Sequence, residues 1–402
     1  MHDSTELLNW KGYFLMTIIV GLTALPHFYI ASARYLFFVF GLVYFRKMHL
    51  SRVFIVLIIT LVGTMVIQAF FYGGDVTIFQ FANQVAMFTV PYFIIRRFDY
   101  QIDRYFVNVL YVWTLVSLVI YLFSLLNPII LDFIRTNGIE LYEEQRRSII
   151  VYSHFFPSSL YTYQIIARLQ GPFTEPGAYA LYLLLAMMLN WFRYNSIFNV
   201  QNLIFTIALL LTQSTAGYIA FALLLVISAT ATKKFTSSAL IILAVLIMAT
   251  AFMNAPFIRD KIQNEIATAN AAYDFDDRGS RIHDATKSLS IFRRYWLFGR
   301  GINAKTYETA STTEVGGFSV LDIWAKMGIT IFAIYMSGLY GYIIFFIKKY
   351  KGKVNMAAKL ALVLPLSLAM SSQPVHMYSF LTLMFIYTGM DFMWKRKAKL
   401  YT

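Results

Sequence analysis

The chain has no cysteine. Disulfides, thiolate metal sites and cysteine nucleophiles are therefore excluded. Charge is scarce too: Asp, Glu, Lys and Arg make up 13% of the 402 residues, where a soluble domain carries about 25%. A signal peptide is not expected. Met1 to Trp10 carries Asp3 and Glu6 in place of a basic leader, and the first apolar run lacks a small-residue cleavage site. That run reads as a retained anchor. The chain shows no internal repeat, low-complexity tract or heptad run. Ionisable side chains are nearly missing from the apolar runs, with Arg34 at the edge of one the closest case. Ion-coupled transporters usually need acids or bases near the bilayer midplane, so that class is disfavoured.

What fills the chain is apolar. Hydrophobic residues make up 59%, aromatics 18%, and mean hydropathy is +0.61. This composition predicts an all-α polytopic membrane protein with a single membrane domain, 1–402. About twelve runs are long or apolar enough to span. They lie at 11–26, 28–45, 53–72, 78–95, 105–126, 177–193, 199–212, 215–231, 236–254, 328–347, 356–372 and 375–394. Among their few polar residues, Gln68, Asn83 and Gln84 read as helix–helix hydrogen bonds. The net charge of +14 would point to nucleic acid in a soluble protein. Here the basic residues sit in short loops, so the charge reads as topology and no nucleic acid is expected. Basic sets at Arg46/Lys47/Arg52, Arg96/Arg97/Arg104, Arg193, Lys233/Lys234, Lys348 to Lys353 and Lys395 to Lys399 fall on alternate loops. The positive-inside rule then places both termini in the cytoplasm. The expected location is the bacterial cytoplasmic (inner) membrane, with lipid as a partner.

Two long loops fall on the outer side, 127–175 and 255–316. The second is 62 residues long and holds nine Lys/Arg and eight Asp/Glu. A membrane protein keeps its polar chemistry where water reaches, so the site is expected in these loops. The first ends in Arg168-Leu-Gln-Gly-Pro-Phe-Thr-Glu-Pro-Gly177. Thr174 suits a helix N-cap with Pro176 in the first turn. Such a helix start offers partial positive charge to an anion, which Glu175 also complements. Arg168 suits a bidentate grip on phosphate. The second loop brings Arg278, Arg281, His283 and Asp284 within seven residues, followed by Lys287, Arg293 and Arg294. A helix beginning at Ser280 puts Arg281, Asp284 and Ser288 on one face. Such arginines suit a pyrophosphate at the lipid–water boundary, or else a neutralised solvated helix. Asp274, Asp276 and Asp277 resemble a metal-binding group only superficially, since Arg278 competes for their oxygens; no metal is expected. In Trp296-Leu-Phe-Gly-Arg-Gly301, Gly299 and Gly301 permit tight turns, and Trp296 suits either the interface belt or stacking on a sugar ring. His154 and His376 read as incidental. Gln213-Ser214 before Ala216-Gly217 predicts a tight helix–helix contact.

These stretches together resemble the O-antigen polymerase and ligase family, the Wzy-type polymerases among them. The carriers are Gly171-Pro-Phe-Thr-Glu-Pro-Gly177 opening a helix, Ser214-Thr-Ala-Gly217 opening another, Arg281 and Leu297-Phe-Gly-Arg-Gly301 in a long outer loop, and Leu321-Asp-Ile-Trp-Ala-Lys-Met-Gly328 in the helix beyond. The resemblance implies glycosyl transfer at the outer membrane face, on sugars carried by polyprenyl pyrophosphate, within a GT-C-like helical fold. It implies no nucleotide sugar, metal or cofactor, and allows a chain-length regulator as partner. Arg168, Arg278, Arg281 and Arg293 would bind pyrophosphate. Glu175 is the first candidate base and His283 the second, with Arg281 supporting catalysis. Gly177, Trp296, Gly299 and Gly301 would shape the sugar site. Ligases of the family carry a His-Asn pair where this chain has Gly317-Phe318. The departure favours a polymerase over a ligase. A flippase or exporter of lipid-linked oligosaccharide is the alternative outside the enzymes, and a non-catalytic scaffold is a further one.

Overall fold

A computed structural model describes residues 10–24, 52–72, 78–95, 98, 101–141, 143–149, 152–156, 168–232, 263, 289–301, 319–350, 356–371 and 379–394. The expected spans 28–45 and 236–254 lie outside the described residues. So does the centre of the second loop, with Arg278, Arg281 and His283. The described part is mostly helix: α1 (Trp10–Ala24), α2 (Arg52–Tyr72), α3 (Ile78–Ile95), α4 (Ile102–Leu126), α5 (Pro128–Asn137), α6 (Pro176–Tyr194), α7 (Val200–Leu211), α8 (Thr215–Thr232), α9 (Ser319–Lys349), α10 (Met356–Ala361), α11 (Val363–Ser371) and α12 (Phe380–Trp394). Three of them contain stretches long and apolar enough to cross a bilayer: Phe54–Phe71, Ile102–Leu126 and Ile323–Lys349.

The helix α6 is central. Every residue from Pro176 to Phe192 is buried, and α4, α7, α8, α9 and α11 pack around it. A helix apolar on all sides has no reason to face water. Inside lipid, exclusion of water does not draw helices together; close packing does. Small residues supply that closeness. A Cβ on Gly217 of α8 would stand 2.8 Å from the Ala180 Cβ of α6, the tight contact expected from the sequence. A Cβ on Gly389 of α12 would overlap the Gly338 carbonyl of α9, so those two helices meet backbone to backbone.

The first long loop holds more structure than its sequence announced. Asn127 Oδ1 accepts from the Ile129 N–H at 3.0 Å and caps α5, with Pro128 in its first turn. Three antiparallel strands follow: β1 (Ile139–Leu141), β2 (Glu143–Ile149) and β3 (Tyr152–Phe155). Ile139 pairs with Ser148, and Ser148 with Ser153. Among their described side chains, the polar Ser148, Ser153 and His154 are buried along with Tyr152.

The ends of the bundle are set by one ion pair. Lys349 Nζ at the end of α9 lies 2.7 Å from Asp103 Oδ1 in the first turn of α4. Tyr350 Oη also donates to Asp103. These two helix ends therefore share a face. The helix α4 leads from that face to the first long loop, and the second long loop leads into α9. Both loops attach at the opposite end.

Candidate active site

The motif at the end of the first loop is built into the bundle. Residues 169–173 are buried, so their backbone groups need partners. Ser153 N–H donates to the Gly171 carbonyl at 2.7 Å, Leu169 N–H to Leu211 O at 2.9 Å, and Phe173 N–H to Gln170 O at 3.1 Å. Gly171 has φ +57°, and a Cβ there would stand 2.6 Å from the Tyr179 ring. Glycine is required on both counts. Phe173 stacks on Tyr182 (centroids 4.9 Å, planes 16° apart) and on Tyr179.

Glu175, not Thr174, is the residue that caps α6. It has extended φ/ψ, Pro176 follows at the first helical position, and its carbonyl accepts from Tyr179 N–H at 3.2 Å. The Glu175 side chain makes no hydrogen bond to the N–H groups of its own helix. Gly177 sits one residue inside the helix and is buried. Depth follows from the next turn. Tyr179 Oη donates to Thr114 Oγ1 at 2.9 Å, and Thr114 is near the middle of α4. At 1.5 Å per residue, the start of α6 lies roughly 10 Å short of the loop end of α4.

Arg168 does something its sequence position did not announce. Its Nε donates to Thr212 O at 3.0 Å and its Nη2 to Gln213 O at 3.1 Å. The last carbonyls of a helix have no partner within it. Here Leu210 O takes Gln213 N–H and Tyr218 Oη, Leu211 O takes Leu169 N–H, and Arg168 takes the next two. The cation also faces the negative end of the α7 dipole. Gln213 turns the chain with φ +50°, and Ser214 Oγ accepts from Gly217 N–H at 3.2 Å to start α8. The Ser214 to Gly217 motif opens a helix as expected. Gln170 is 2% exposed, and its Oε1 has no hydrogen-bond partner among the described residues.

The second assembly joins residues 289–301 to α9. Residues 289–295 are helical and carry Arg293 and Arg294 on the exposed surface. The helix α9 is broken at Gly328 (φ 77°, ψ 174°). A break orphans the carbonyls before it and the N–H groups after it, and lipid cannot satisfy them. The glycine loop does. Arg300 N–H donates to Ala325 O at 2.8 Å, Gly301 N–H to Lys326 O at 2.9 Å, and Ile329 N–H to Trp296 O at 2.9 Å. Gly299 and Gly328 both have positive φ, and a Cβ on either would overlap the other segment's backbone. Gln68 of α2 closes the joint: its Nε2 donates to Phe298 O at 2.5 Å and to Lys326 O at 2.9 Å. The Trp296 side chain is exposed. The helix–helix hydrogen bond expected of Gln68 is there, to Lys326 O of α9, while its bond to Phe298 O in the glycine loop was not expected. The available signal was an isolated primary amide one turn from the end of an apolar run.

A bundle of apolar helices, with the end of the first loop built into it and residues 289–301 seated on a broken helix, defines a helical integral membrane protein. Residues 200–336 match the family model described as O-antigen ligase. The match covers about a third of the chain and bears out the resemblance read from the motifs. It runs from α7 through the second loop to just beyond the Gly328 break. Arg278, Arg281, His283, Arg293, Trp296, Gly299 and Gly301 fall inside it, while Arg168, Glu175 and Gly177 lie before it. No curated protein and no solved structure matches the chain.

Proposed function

We propose that this chain is a Wzy-type polysaccharide polymerase of the cytoplasmic membrane. It has twelve spanning helices, a GT-C-like arrangement, cytoplasmic termini and both long loops outside. The observation that carries the reading is the O-antigen ligase match over 200–336, which contains the cationic loop and its seat on α9. The donor is a growing glycan on polyprenyl pyrophosphate, and the acceptor is a lipid-linked repeat unit. An acceptor hydroxyl oxygen bonds to the anomeric carbon of the donor sugar. The bond from that carbon to the pyrophosphate oxygen breaks, and the lipid pyrophosphate leaves with the electron pair. Glu175 takes the hydroxyl proton, with His283 the alternative base. Arg278, Arg281 and Arg293 hold the pyrophosphate and stabilise its charge as it leaves. Arg168 contributes while capping α7. Trp296 and the loop glycines shape the sugar site, and no metal takes part. A ligase is the second reading, favoured by the description of the matching family and opposed by Gly317-Phe318 in place of the His-Asn pair.

The test is purified protein in detergent with a lipid-pyrophosphate-linked oligosaccharide and a chelator. A ladder of longer lipid-linked glycans is the expected product. Arg281→Ala and Glu175→Gln should each lower kcat/KM by about 10²-fold or more, with the protein still in the membrane. Unchanged substrate that instead crosses the bilayer of reconstituted vesicles would make the chain a flippase and end the enzyme reading.

A further inference from the structure

The joint between the glycine loop and α9 contains an electrostatic difficulty that the Gln68 side chain eases. The Phe298 and Lys326 carbonyls both direct lone pairs at the same point, where Gln68 Nε2 stands. Two carbonyl oxygens facing each other repel unless a donor lies between them. Gln68 itself is only 6% exposed there. Backbone N–H groups are already spent: Gly301 on Lys326 O, Arg300 on Ala325 O, and Ile329 on Trp296 O. A primary amide carries two N–H bonds on one nitrogen and bridges both acceptors without adding charge. The bridging amide comes from a different helix, 230 and 258 residues away in sequence.

We infer that Gln68 is a positioning residue. It pins the loop carrying Arg293, Arg294 and Arg300 to the break in α9, and so fixes where those guanidinium groups stand for the pyrophosphate. It touches no substrate. This role rests on the polymerase reading above for its catalytic consequence, but not for its structural one. Gln68→Leu removes both donors at similar volume, which takes the side-chain donor from Phe298 O and leaves Lys326 O with the Gly301 N–H. Gln68→Glu offers oxygen lone pairs to oxygen lone pairs. Gln68→Asn keeps the chemistry and shortens the reach.

The absence of cysteine makes the structural part directly measurable. Leu297→Cys places a single thiol in the pinned loop, on a side chain that is 40% exposed. Its labelling rate by a soluble maleimide is compared in the wild-type, Gln68→Leu, Gln68→Glu and Gln68→Asn backgrounds. A thiol at Phe70→Cys, on the same helix and facing away, controls for general loosening. Gln68→Leu and Gln68→Glu should raise labelling at position 297 by tenfold or more and leave position 70 unchanged, with Gln68→Asn between them and wild type. In the glycan assay the same variants should raise KM for the pyrophosphate donor more than they lower kcat, with kcat/KM falling about 10²-fold. Equal labelling at 297 in all four backgrounds overturns the proposal. So does a parallel rise at position 70, which means that the bundle and not the joint has loosened. If labelling responds as expected but wild type makes no glycan ladder, the pin stands and the polymerase reading falls.

Discussion

His154 is a residue whose environment changes its chemistry. It is 4% exposed in β3, Tyr152 Oη lies 3.2 Å from its Nδ1, and its ring packs on Phe156. Burial disfavours the imidazolium and lowers the pKa to about 4. In the unfolded chain the same imidazole takes up its proton near pH 6.5. Between these values the unfolded state binds more protons, so stability falls as the pH drops through that window. The full shift corresponds to about 3 kcal/mol at its acid limit. Thermal unfolding measured from pH 7 to pH 5 should therefore show a falling Tm in wild type and a flatter profile in His154→Gln. Identical slopes would mean that the buried imidazole does not drive the effect. The sequence marked His154 as an isolated outer-side histidine and nothing more. Its meaning depends on the strand that buries it, and that strand was not visible. Glu175 is the contrary case. Its place between Phe173-Thr174 and Pro176-Gly177 announces a helix start, and the structure differs only in making Glu175 itself the cap. Arg168 lies between: its position beside the motif was legible, but its bonds to Thr212 and Gln213 were not, because they join parts of the chain 44 and 45 residues apart.

Helices were legible wherever one run of apolar residues became one element. The expected span 78–95 coincides with α3, and 53–72, 177–193, 199–212 and 215–231 each lie within a residue of α2, α6, α7 and α8 at both ends. Hydrophobicity alone decides such elements, because lipid demands a helix of any backbone it surrounds. The reading faltered where packing intervened. The expected 328–347 is in fact α9 from Ser319, broken at Gly328, since the stretch before the break, with Asp322 and Lys326 among apolar residues, is joined to the glycine loop through its carbonyls. The expected 356–372 is two helices, α10 and α11. The strands of the first loop give no alternation of apolar and polar residues, because they bury serines and a histidine. Basic residues near helix ends were read only as topology, yet one of them joins two elements. Lys349 reaches Asp103 with their side chains 21% and 3% exposed. Breaking such a pair leaves a charge facing an apolar interior and costs roughly 3 kcal/mol. Asp103→Asn should lower the Tm of the purified protein accordingly. A double variant, Asp103→Leu with Lys349→Met, should recover most of the loss, since apolar residues of similar volume can replace a buried pair. A double variant as unstable as Asp103→Asn would show that the pair specifies geometry rather than merely satisfying charge.

The whole molecule rests on a single axis, and that axis can be tested without any knowledge of substrate. The Asp103–Lys349 pair sits at one end of the bundle. Gln68, near the end of α2, meets the Phe298 and Lys326 carbonyls at the other. The basic clusters Arg96/Arg97/Arg104 and Lys348 to Lys353 belong to the first end, which the positive-inside rule assigns to the cytoplasm. The proposed joining of lipid-linked glycans on the far side requires that the Glu175 end of α6 face that side, so the proposed orientation and the proposed function stand together. A chain without cysteine allows one thiol at a time. Arg135→Cys on α5 and Leu297→Cys in the glycine loop should react with a membrane-impermeant maleimide added outside intact spheroplasts. Lys348→Cys, on an exposed side chain at the opposite end, should react only in inside-out vesicles or after permeabilisation. If positions 135 and 297 labelled from opposite sides, the two loops could not form one site. If all three labelled in reverse, the bundle would stand as described but the Glu175 end of α6 would face the cytoplasm, where a donor of another kind would have to be sought.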